Sequence, residues 1–457
     1  MRRLLYFIML LIFFVALSAA MRSPSGPAYV GDEVLVRFKS ATSTRALSAL
    51  TAGVEARILS FAPALRMHRL KLTGRMGVEE AVDHLRAQSQ VELAEPNYRI
   101  KASVTPNDPS FSKLWGLANT GQTGGLADAD IDAPEAWAAT TGSAAVLVAI
   151  IDTGIDYRHV DLKANIYTNP GEDPWSDPND PSTGNKLDDD GNGLVDDWKG
   201  YNFHAKTNDP YDDNGHGTHV AGIIGAAGNN SLGVTGVCWQ IRLVGLRILN
   251  ASGDGNVGDA IDGIEYAIQL GARILNHSWG GPDKSIFLEE AIRFAHSRNA
   301  LVVAAAGNDG VNTDISPQYP ACLDLDNIIS VAATDHGDQR ALWGEADENT
   351  DDCGFSCSNA MAAVPGSNWG ASTVDLAAPG KEIYSTVPGG YAVFSGTSMA
   401  APYVSGAAAL LLARNSGLTN LQVKQRLMSS VDPLTAFNGL SVTGGRLNLQ
   451  KALAGLP

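Results

Sequence analysis

Residues 145–156 read AVLVAIIDTGID, a continuous apolar run that ends on an aspartate, Asp152. A run without polar interruptions predicts a strand that is buried on both faces of a sheet. A carboxylate at the end of such a strand is costly unless polar partners surround it. The stretch therefore predicts a core strand and marks Asp152 as the first candidate for a functional side chain, with a simple Asp-Thr-Gly turn as the other reading.

Five further apolar runs of strand length follow between residues 241 and 380, and helix-like stretches such as 257–271 and 284–299 lie between them. The runs are IRLVGLRIL, ARILNHSW, ALVVAAAGN, NIISVAAT and TVDLAAPG. Apolar strands that alternate with helices predict an α/β fold with a mainly parallel sheet covered on both faces. Ligands of such sheets bind beyond the carboxyl ends of the strands, where we expect the functional residues to meet.

A smaller unit precedes this region. Residues 33–102 carry strand-like and helix-like patterns in the order β-α-β-β-α-β. This order predicts a small ferredoxin-like α+β unit. Residues 103–109, SVTPNDP, break the pattern and read as a linker.

The first 20 residues, MRRLLYFIMLLIFFVALSAA, have the pattern of a secretory signal peptide. Arg2 and Arg3 precede an apolar run, and small residues follow it. An uncleaved membrane anchor is the alternative, although the run is short for a bilayer span. Because no later segment is long and apolar enough to cross a bilayer, we expect a secreted protein, extracellular or periplasmic, without a membrane span in its mature form.

The 457-residue chain has a formal net charge of -16. This charge argues against a nucleic-acid partner, because phosphate binding needs a basic surface, whereas carboxylates suit cations such as calcium. Of the four cysteines, Cys238 lies in an apolar stretch and is expected to be a buried free thiol. Cys353 and Cys357 favour a short-loop disulfide or one that reaches Cys322, and zinc lacks the ligand pairs that it needs.

Three more polar residues stand at similar positions along the chain. His216 opens a helix-like run in NGHGTHVAGIIGA, Asn308 ends the run ALVVAAAGN, and Ser398 opens an apolar helix in FSGTSMAAPY. Singly, they read as a structural histidine, a turn asparagine and a helix N-cap. Together, the order Asp, His, Asn, Ser predicts a serine nucleophile with a base, an orienting carboxylate and an oxyanion donor. An α/β-hydrolase would place its serine first, and an aspartic protease would need a second aspartate motif.

The motifs AIIDTGID, NGHGTHVAGIIGA, AAAGNDG and SGTSMAAPYVSGAAALL resemble those of the subtilisin-like serine proteases, or subtilases. The resemblance covers residues 106–457 and is closest to the thermitase-like branch in TPNDPSFSKLWGL. It implies a subtilisin-like three-layer fold and a serine endopeptidase that hydrolyses polypeptides without an organic cofactor. The implied roles are nucleophile for Ser398, general base for His216, orienting carboxylate for Asp152 and oxyanion donor for Asn308.

The resemblance also implies how a peptide substrate would bind. Two strands would hold it in an extended form by β-augmentation. Ser278, Trp279 and Gly280 would supply one edge, and the segment around Gly255 would supply the facing edge. Gln318 would lie near the base of the primary specificity pocket.

The N-terminal unit resembles the subtilase propeptide, a chaperone and inhibitor of its own enzyme, with an independent binding domain as the alternative. The implied organisation is a signal peptide over residues 1–20, a propeptide over 21–105 and a catalytic domain over 106–457. Residues 339–368 look like an acidic insertion of unknown role. We expect a self-processing prepro-enzyme that is a monomer.

Calcium is the expected cofactor, in two sites. The resemblance implies a tight site with side-chain oxygens from Asp108, Asp161 and Asn230 and main-chain carbonyls from Ala227, Leu232 and Val234. Separately, LDDDGNGLVDD places Asp188, Asp190 and Asn192 at EF-hand-like spacing. An EF-hand needs a glutamate at the twelfth position, which is Lys199 here, so this stretch is an oxygen-rich calcium turn or a solvated acidic turn.

Two other classes of function stay open at this point. One is a pseudo-protease scaffold that binds peptides without cutting them, and the intact triad counts against it. The other is a calcium-binding adhesion module, which does not explain His216 and Asn308.

Overall fold

A computed structural model of the chain describes residues 29–39, 42–98, 104–343 and 365–456. The chain divides into two compact units at residues 102 and 103, and each is described by itself below. The predicted signal peptide and the predicted Cys353 and Cys357 pairing lie outside the described residues.

The N-terminal unit is a four-stranded antiparallel sheet with two helices, in the predicted order. Its elements are β1 (Tyr29–Phe38), α1 (Thr44–Gly53), β2 (Ala56–Ala62), β3 (Met67–Leu72), α2 (Val78–Arg86) and β4 (Val91–Tyr98). The strands lie in the order β2-β3-β1-β4, which confirms the ferredoxin-like arrangement. Alternate residues of β1, such as Val34 and Val36, are buried against Val82 and Leu85 of α2, so this unit has a core of its own.

The second unit contains the large sheet. Its strands are β5 (Gly142–Asp152), β6 (Gly200–Asn202), β7 (Gln240–Arg247), β8 (Ile274–His277), β9 (Leu301–Ala305), β10 (Ile328–Thr334), β11 (Leu376–Pro379), β12 (Ile383–Val387), β13 (Gly390–Phe394), β14 (Asp432–Pro433) and β15 (Gly445–Arg446). Its helices are α3 (Ala133–Trp137), α4 (His216–Gly225), α5 (Val257–Gln269), α6 (Ile286–Ser297), α7 (Thr397–Arg414), α8 (Asn420–Met428) and α9 (Leu449–Leu453).

Nine of these strands form one sheet in the order β14-β15-β11-β10-β9-β8-β5-β7-β6. Neighbouring strands are parallel except for β14 and β15. All six apolar runs of the sequence are strands of this sheet, so the prediction of a mainly parallel sheet is confirmed.

Helices cover both faces of the sheet. Val148 and Ile150 of β5 belong to a core that α4 and α7 complete, while Leu147 and Ile151 point into a second core lined by α5 and α6. Because side chains alternate along a strand, a run that is apolar at every position requires this double cover. The result is a three-layer α/β/α unit.

Strands β12 and β13 form a separate hairpin that the sequence analysis did not include. It packs on α4, where the Ser385 and Thr386 hydroxyls donate to main-chain carbonyls at 2.8 and 2.7 Å. A Cβ at Gly222 of α4 would lie 2.3 Å from both of those hydroxyl oxygens, so only glycine permits this close packing.

Candidate active site

Asp152 is the last residue of β5 and is fully buried at the carboxyl end of the sheet. Its Oδ1 accepts a hydrogen bond from the Thr153 main-chain N–H at 2.7 Å. Oδ2 has no hydrogen-bond partner among the described residues. The Asp152 carboxylate can therefore accept a further hydrogen bond, and such a bond would offset the free-energy cost of burying its charge.

His216 is the first residue of α4, and it meets this carboxylate. Its Nδ1 lies 2.7 Å from Asp152 Oδ1, so Nδ1 carries the proton and donates while Nε2 faces outward from the pair. The start of α4 lies so close to the end of β5 that a Cβ at Gly217 would lie 2.1 Å from the Gly154 carbonyl oxygen. Only glycine after the histidine lets α4 begin this near to the end of β5.

The loop before α4 is organised by Asp212, which the sequence analysis missed. Its fully buried carboxylate accepts hydrogen bonds from the main-chain N–H groups of Asn214, Gly215 and Thr218. It also accepts from the Thr153 hydroxyl at 2.9 Å and so connects this loop to the end of β5. The sequence NDPYDDN contains several aspartates and does not distinguish Asp212 from the others, whereas the structure does.

The two histidines of α4 have opposite electrostatic environments. Burial favours the neutral form of His216, but the Asp152 carboxylate and its hydrogen bond outweigh burial and raise the pKa of His216 above its ordinary value. Burial lowers the pKa of His219 to about 3, so this imidazole is neutral. His219 donates through Nε2 to the Ile383 carbonyl at 3.0 Å and stacks on Phe394, which makes it part of the scaffold.

Ser398 is the second residue of α7. Because the first four N–H groups of a helix lack intrahelical acceptors, its main-chain N–H is available to an acceptor outside the helix. Its hydroxyl donates to the Ser278 carbonyl at 3.0 Å, and the Ser278 hydroxyl donates back to the Ser398 carbonyl at 2.9 Å. Ser278 follows β8, the strand beside β5, so Ser398 and Asp152 lie at the same edge of the sheet.

Asn308 follows β9 and is oriented by the start of α7. Its Oδ1 accepts from the Thr397 main-chain N–H at 2.9 Å and from the Thr397 hydroxyl at 3.1 Å. These bonds leave the Asn308 amide, Nδ2, as the free donor. Thr397 is fully buried and its hydroxyl also accepts from the Gly307 N–H at 3.0 Å, a role that the sequence analysis did not assign.

Residues from both predicted substrate edges line one cleft, whereas Ser278 is buried and hydrogen-bonds to Ser398. Trp279 and Gly280 on one side and Gly255 on the other border a cavity of about 370 Å³. Gly255 and Gly280 are exposed, so their main-chain groups are accessible from solvent. Trp279 is fixed by a hydrogen bond from its indole N–H to the Ile151 carbonyl at 2.8 Å.

Gln318 lies beside the segment that carries Asn308. Its side chain packs near Gly307, where a Cβ would lie 3.3 Å from Gln318 Cγ, and its Nε2 donates to Asp309 Oδ2 at 3.4 Å. Gln318 thus lies next to the AAAG segment, residues 304–307, and its place near the base of the specificity pocket stays a prediction.

The structure brings together the three distant segments of the first candidate calcium site. Asp108 is buried, and its carboxylate accepts from the Asn229 N–H at 2.6 Å. Asp161 accepts from the Asn230 amide at 3.1 Å and from the Val234 N–H at 2.9 Å. Burial and the Asp161 charge hold the pKa of Asp108 above its ordinary value, so a cation would relieve the charges collected here.

The second candidate calcium site contains a carboxylate that the sequence analysis missed. Carboxylate oxygens of Glu172, Asp188 and Asp190 lie within 4.8 Å of one another. Glu172 is buried, and its Oε2 has no partner among the described residues. Burial and the neighbouring Asp197 and Asp190 raise the pKa of Glu172. Glu172 lies 16 residues before Asp188, so a search for EF-hand spacing could not find it.

Asn192 supports this acidic turn through hydrogen bonds. Its amide donates to Asp190 Oδ2 at 3.1 Å and to Asp197 Oδ2 at 2.9 Å, and its Oδ1 accepts from the Leu194 N–H at 2.7 Å. In this structure Asn192 therefore organises the turn around the three carboxylates.

Cys238 is a buried free thiol, as predicted. Cys322 is partly buried and forms no disulfide among the described residues. Within the same described part of the chain, no helix is long and apolar enough to cross a membrane.

The buried Asp152–His216 pair, Ser398 at the start of α7 and the oriented Asn308 lie at the carboxyl ends of the sheet strands in a three-layer α/β/α unit. Comparison with known families matches residues 143–447 to the Subtilase family and residues 16–97 to the Fervidolysin N-terminal prodomain. The chain belongs to the subtilase family and is a subtilisin-like serine protease with an N-terminal prodomain.

Individual relatives agree with this assignment. A Thermophilic serine proteinase of Bacillus sp. (strain AK1) is 33% identical over 93% of this chain and 88% of its own length. Thermitase of Thermoactinomyces vulgaris is 33% identical over 76% of this chain and 99% of its own length. A solved protease structure from Pseudoalteromonas arctica, 27% identical, covers 78% of this chain and all of its own, with a TM-score of 0.56.

Proposed function

We propose that this protease is secreted as a self-processing prepro-enzyme and that it cleaves polypeptides with the triad Asp152, His216 and Ser398. The 2.7 Å contact between His216 Nδ1 and Asp152 Oδ1 carries the proposal. It fixes the imidazole in the tautomer whose Nε2 is free to accept a proton. The nucleophile candidate, Ser398, lies at the same edge of the sheet as Asp152 and has a rotatable hydroxyl from which such a base can accept the proton.

The reaction proceeds in two halves. In the first, the Ser398 hydroxyl turns from the Ser278 carbonyl to His216, its Oγ bonds to the substrate carbonyl carbon, and its proton passes to Nε2. His216 returns this proton to the departing amine as the peptide C–N bond breaks. In the second half, water attacks the acyl-enzyme by the same route, which restores the Ser398 hydroxyl and releases the acid. Asp152 stabilises the charged imidazole throughout.

The tetrahedral intermediates carry a negative charge on the former carbonyl oxygen. We assign its stabilisation to the Asn308 amide and the Ser398 main-chain N–H. The hydrogen bonds from Thr397 to Asn308 Oδ1 support this role, because they turn the donor end of the amide away from Thr397. The N-terminus of α7 adds a favourable partial charge.

The cleft between residues around Gly255 and the segment Ser278 to Gly280 would hold the substrate as an added strand. Exposed main-chain groups on both sides of the cavity support this mode. Gln318, next to Gly307 and Asp309, would border the pocket for the side chain that precedes the cleaved bond.

We base the proposals of secretion and self-processing on the N-terminal sequence. Residues 1–20 would be removed by signal peptidase, and residues 21–105 would serve as the chaperone and inhibitor of the catalytic domain. The match of residues 16–97 to a prodomain family supports the prodomain part of this organisation, and the matched region begins inside the predicted signal peptide.

We also propose two structural calcium sites. The first would use Asp108, Asp161 and Asn230 with nearby main-chain carbonyls, and the second would use Glu172, Asp188 and Asp190. Calcium prefers six to eight oxygen ligands, and both regions offer clustered carboxylates whose mutual repulsion a divalent cation would offset.

The test is the processing of the purified precursor. The wild-type chain should appear as a mature protein with its N-terminus near residue 106, whereas Ser398→Ala should retain residues 21 to about 105. A mature N-terminus near residue 106 in pure Ser398→Ala protein would contradict self-processing. The wild type and Ser398→Ala also distinguish a protease from a pseudo-protease scaffold. If the chain is a protease, the wild type should hydrolyse a denatured protein substrate and Ser398→Ala should not.

A further inference from the structure

The segment that carries Asn308 is held from one side by the two ends of the insertion, residues 339–368. Asn368, at the second end, is fully buried beneath this segment. Its Oδ1 accepts from the N–H groups of Asp309 at 3.0 Å and Val311 at 3.1 Å, and its Nδ2 donates to the Ala306 carbonyl at 3.0 Å. The main chain on both sides of Asn308 is thus tied to the insertion.

The first end of the insertion contacts Asn308 directly. The indole N–H of Trp343 donates to the Asn308 main-chain carbonyl at 3.1 Å, and the Gly366 N–H donates to the same oxygen at 3.2 Å. One donor comes from each end of the insertion, so both ends meet at this oxygen. Asn308 is itself exposed, and the two hydrogen bonds from Thr397 hold its side-chain oxygen.

The position of the Asn308 amide therefore depends on its main chain and on Thr397. Thr397 fixes the side-chain oxygen, and the two donors on the main-chain carbonyl fix the peptide plane from which the side chain departs. An oxyanion donor has to be held within a few tenths of an ångström of its productive place, because electrostatic stabilisation requires preorganisation.

We infer that Trp343 is a positioning residue for the oxyanion donor: its indole N–H holds the main chain of Asn308 so that the side-chain amide faces the transition state. This inference rests on the proposed role of Asn308. It also gives the ends of the insertion a part in catalysis, because each end donates one hydrogen bond to the Asn308 main-chain carbonyl.

The test compares the peptide hydrolysis of Trp343→Phe with that of the wild type. The variant removes the indole N–H and keeps an aromatic ring. Titration of the active sites with a phosphonate first gives the concentration of active enzyme in each sample. Loss of one hydrogen bond to the Asn308 carbonyl should lower kcat roughly 3- to 10-fold and leave KM within about twofold. Gln339→Ala is the matched control in the insertion, because Gln339 is exposed and its amide donates to the Gly337 carbonyl. It should leave kcat unchanged.

The decisive step repeats Trp343→Phe in an Asn308→Ala background. If Trp343 acts through the Asn308 amide, the second change should lower kcat less than about twofold further. An equal loss in both backgrounds, an unchanged kcat in the single variant, or a raised KM with unchanged kcat would overturn the inference. If Asn308→Ala itself leaves kcat unchanged while Ser398→Ala abolishes hydrolysis, the oxyanion role fails together with the inference, and the protease assignment stands.

Discussion

At the scale of single residues, Asn308 gives the clearest energetic prediction. Asn308→Ala should lower kcat by roughly 100- to 1,000-fold, as the loss of one oxyanion donor does in subtilisin. KM should change little, because the amide bonds the oxyanion more strongly than the substrate carbonyl. Steady-state kinetics on a peptide substrate measures both. A large rise in KM with unchanged kcat would show instead that Asn308 positions the substrate.

His216 gives a prediction about pH. Its imidazole must be neutral to accept the Ser398 proton, and the Asp152 carboxylate raises its pKa. The rate kcat/KM should therefore increase with pH around an inflection above about 6.5, the ordinary histidine value. In Asp152→Asn, burial still lowers the pKa of His216, but the carboxylate no longer raises it. The inflection in kcat/KM of the remaining activity should therefore lie below the ordinary histidine value. A pH–rate profile that does not shift in this variant would contradict the assigned pair.

The same pair contributes to stability with a definite sign. A raised pKa means that folded His216 binds a proton more readily than the unfolded chain. The contribution is fully present below the unfolded pKa and is lost as the pH rises through the folded pKa. Denaturant unfolding of Ser398→Ala, which cannot digest itself, should show this loss relative to Ser398→Ala combined with His216→Ala.

The four proposed catalytic residues could be predicted from the sequence because each one ends an apolar strand or begins a helix. Thr397, Asp212 and Glu172 could not. Their roles depend on contacts with residues that are distant in the chain, such as the bond from Thr397 to Asn308 across 89 residues. No local pattern records such a contact.

At the scale of elements, the start of α4 sets the geometry of the site. Gly217→Ala would place a methyl group about 2.1 Å from the Gly154 carbonyl oxygen, which is main chain and cannot move aside. Helix α4 should shift away from β5 and lengthen the contact between His216 and Asp152. We expect kcat/KM to fall by about 100-fold or more, since a displacement on the order of 1 Å can cost this much.

The control for this helix prediction is Gly390→Ala in β13, where an added Cβ meets no atom within 4 Å. It should retain wild-type kcat/KM. If Gly217→Ala, correctly folded by circular dichroism, also keeps wild-type activity, the close approach of α4 to β5 is not what sets the catalytic geometry.

Elements with a strong pattern could be predicted, and weakly patterned elements could not. The six predicted strands lie in apolar runs of the sequence because helices cover both sheet faces, so their pattern shows directly in the sequence. Strands β14 and β15 contain only two residues each, too few for any periodicity. The hairpin β12–β13 lies next to strand β11 in the chain, and its packing on α4 depends on Gly222, far away in sequence.

At the scale of the whole molecule, we expect calcium binding to stabilise the folded protein. Asp108, Asp161 and Asn230 meet only when the chain is folded, so a cation there binds the native state preferentially. Free calcium at about 100 times its dissociation constant would add roughly 2.7 kcal/mol to the free energy of unfolding. A chelator should therefore lower the melting temperature of the inhibited mature enzyme and speed its autolysis.

Variants separate the two proposed calcium sites. Asp161→Asn should weaken the stabilisation by calcium at the first site, and Glu172→Gln should weaken it at the second, with hydrolysis by the triad retained in both. Identical melting curves with calcium and with chelator, on protein shown to be free of metal, would remove both sites from the account.

The central claim is that Ser398 is the nucleophile of an assembled triad, and a phosphonate label tests it most directly. The mature protein should react with a fluorophosphonate to give one adduct, which peptide mass mapping should place on Ser398. Ser398→Ala should give no adduct, and His216→Ala should react far more slowly because its serine lacks a base. An adduct on another residue, or no adduct on folded and processed wild-type protein, would contradict the claim.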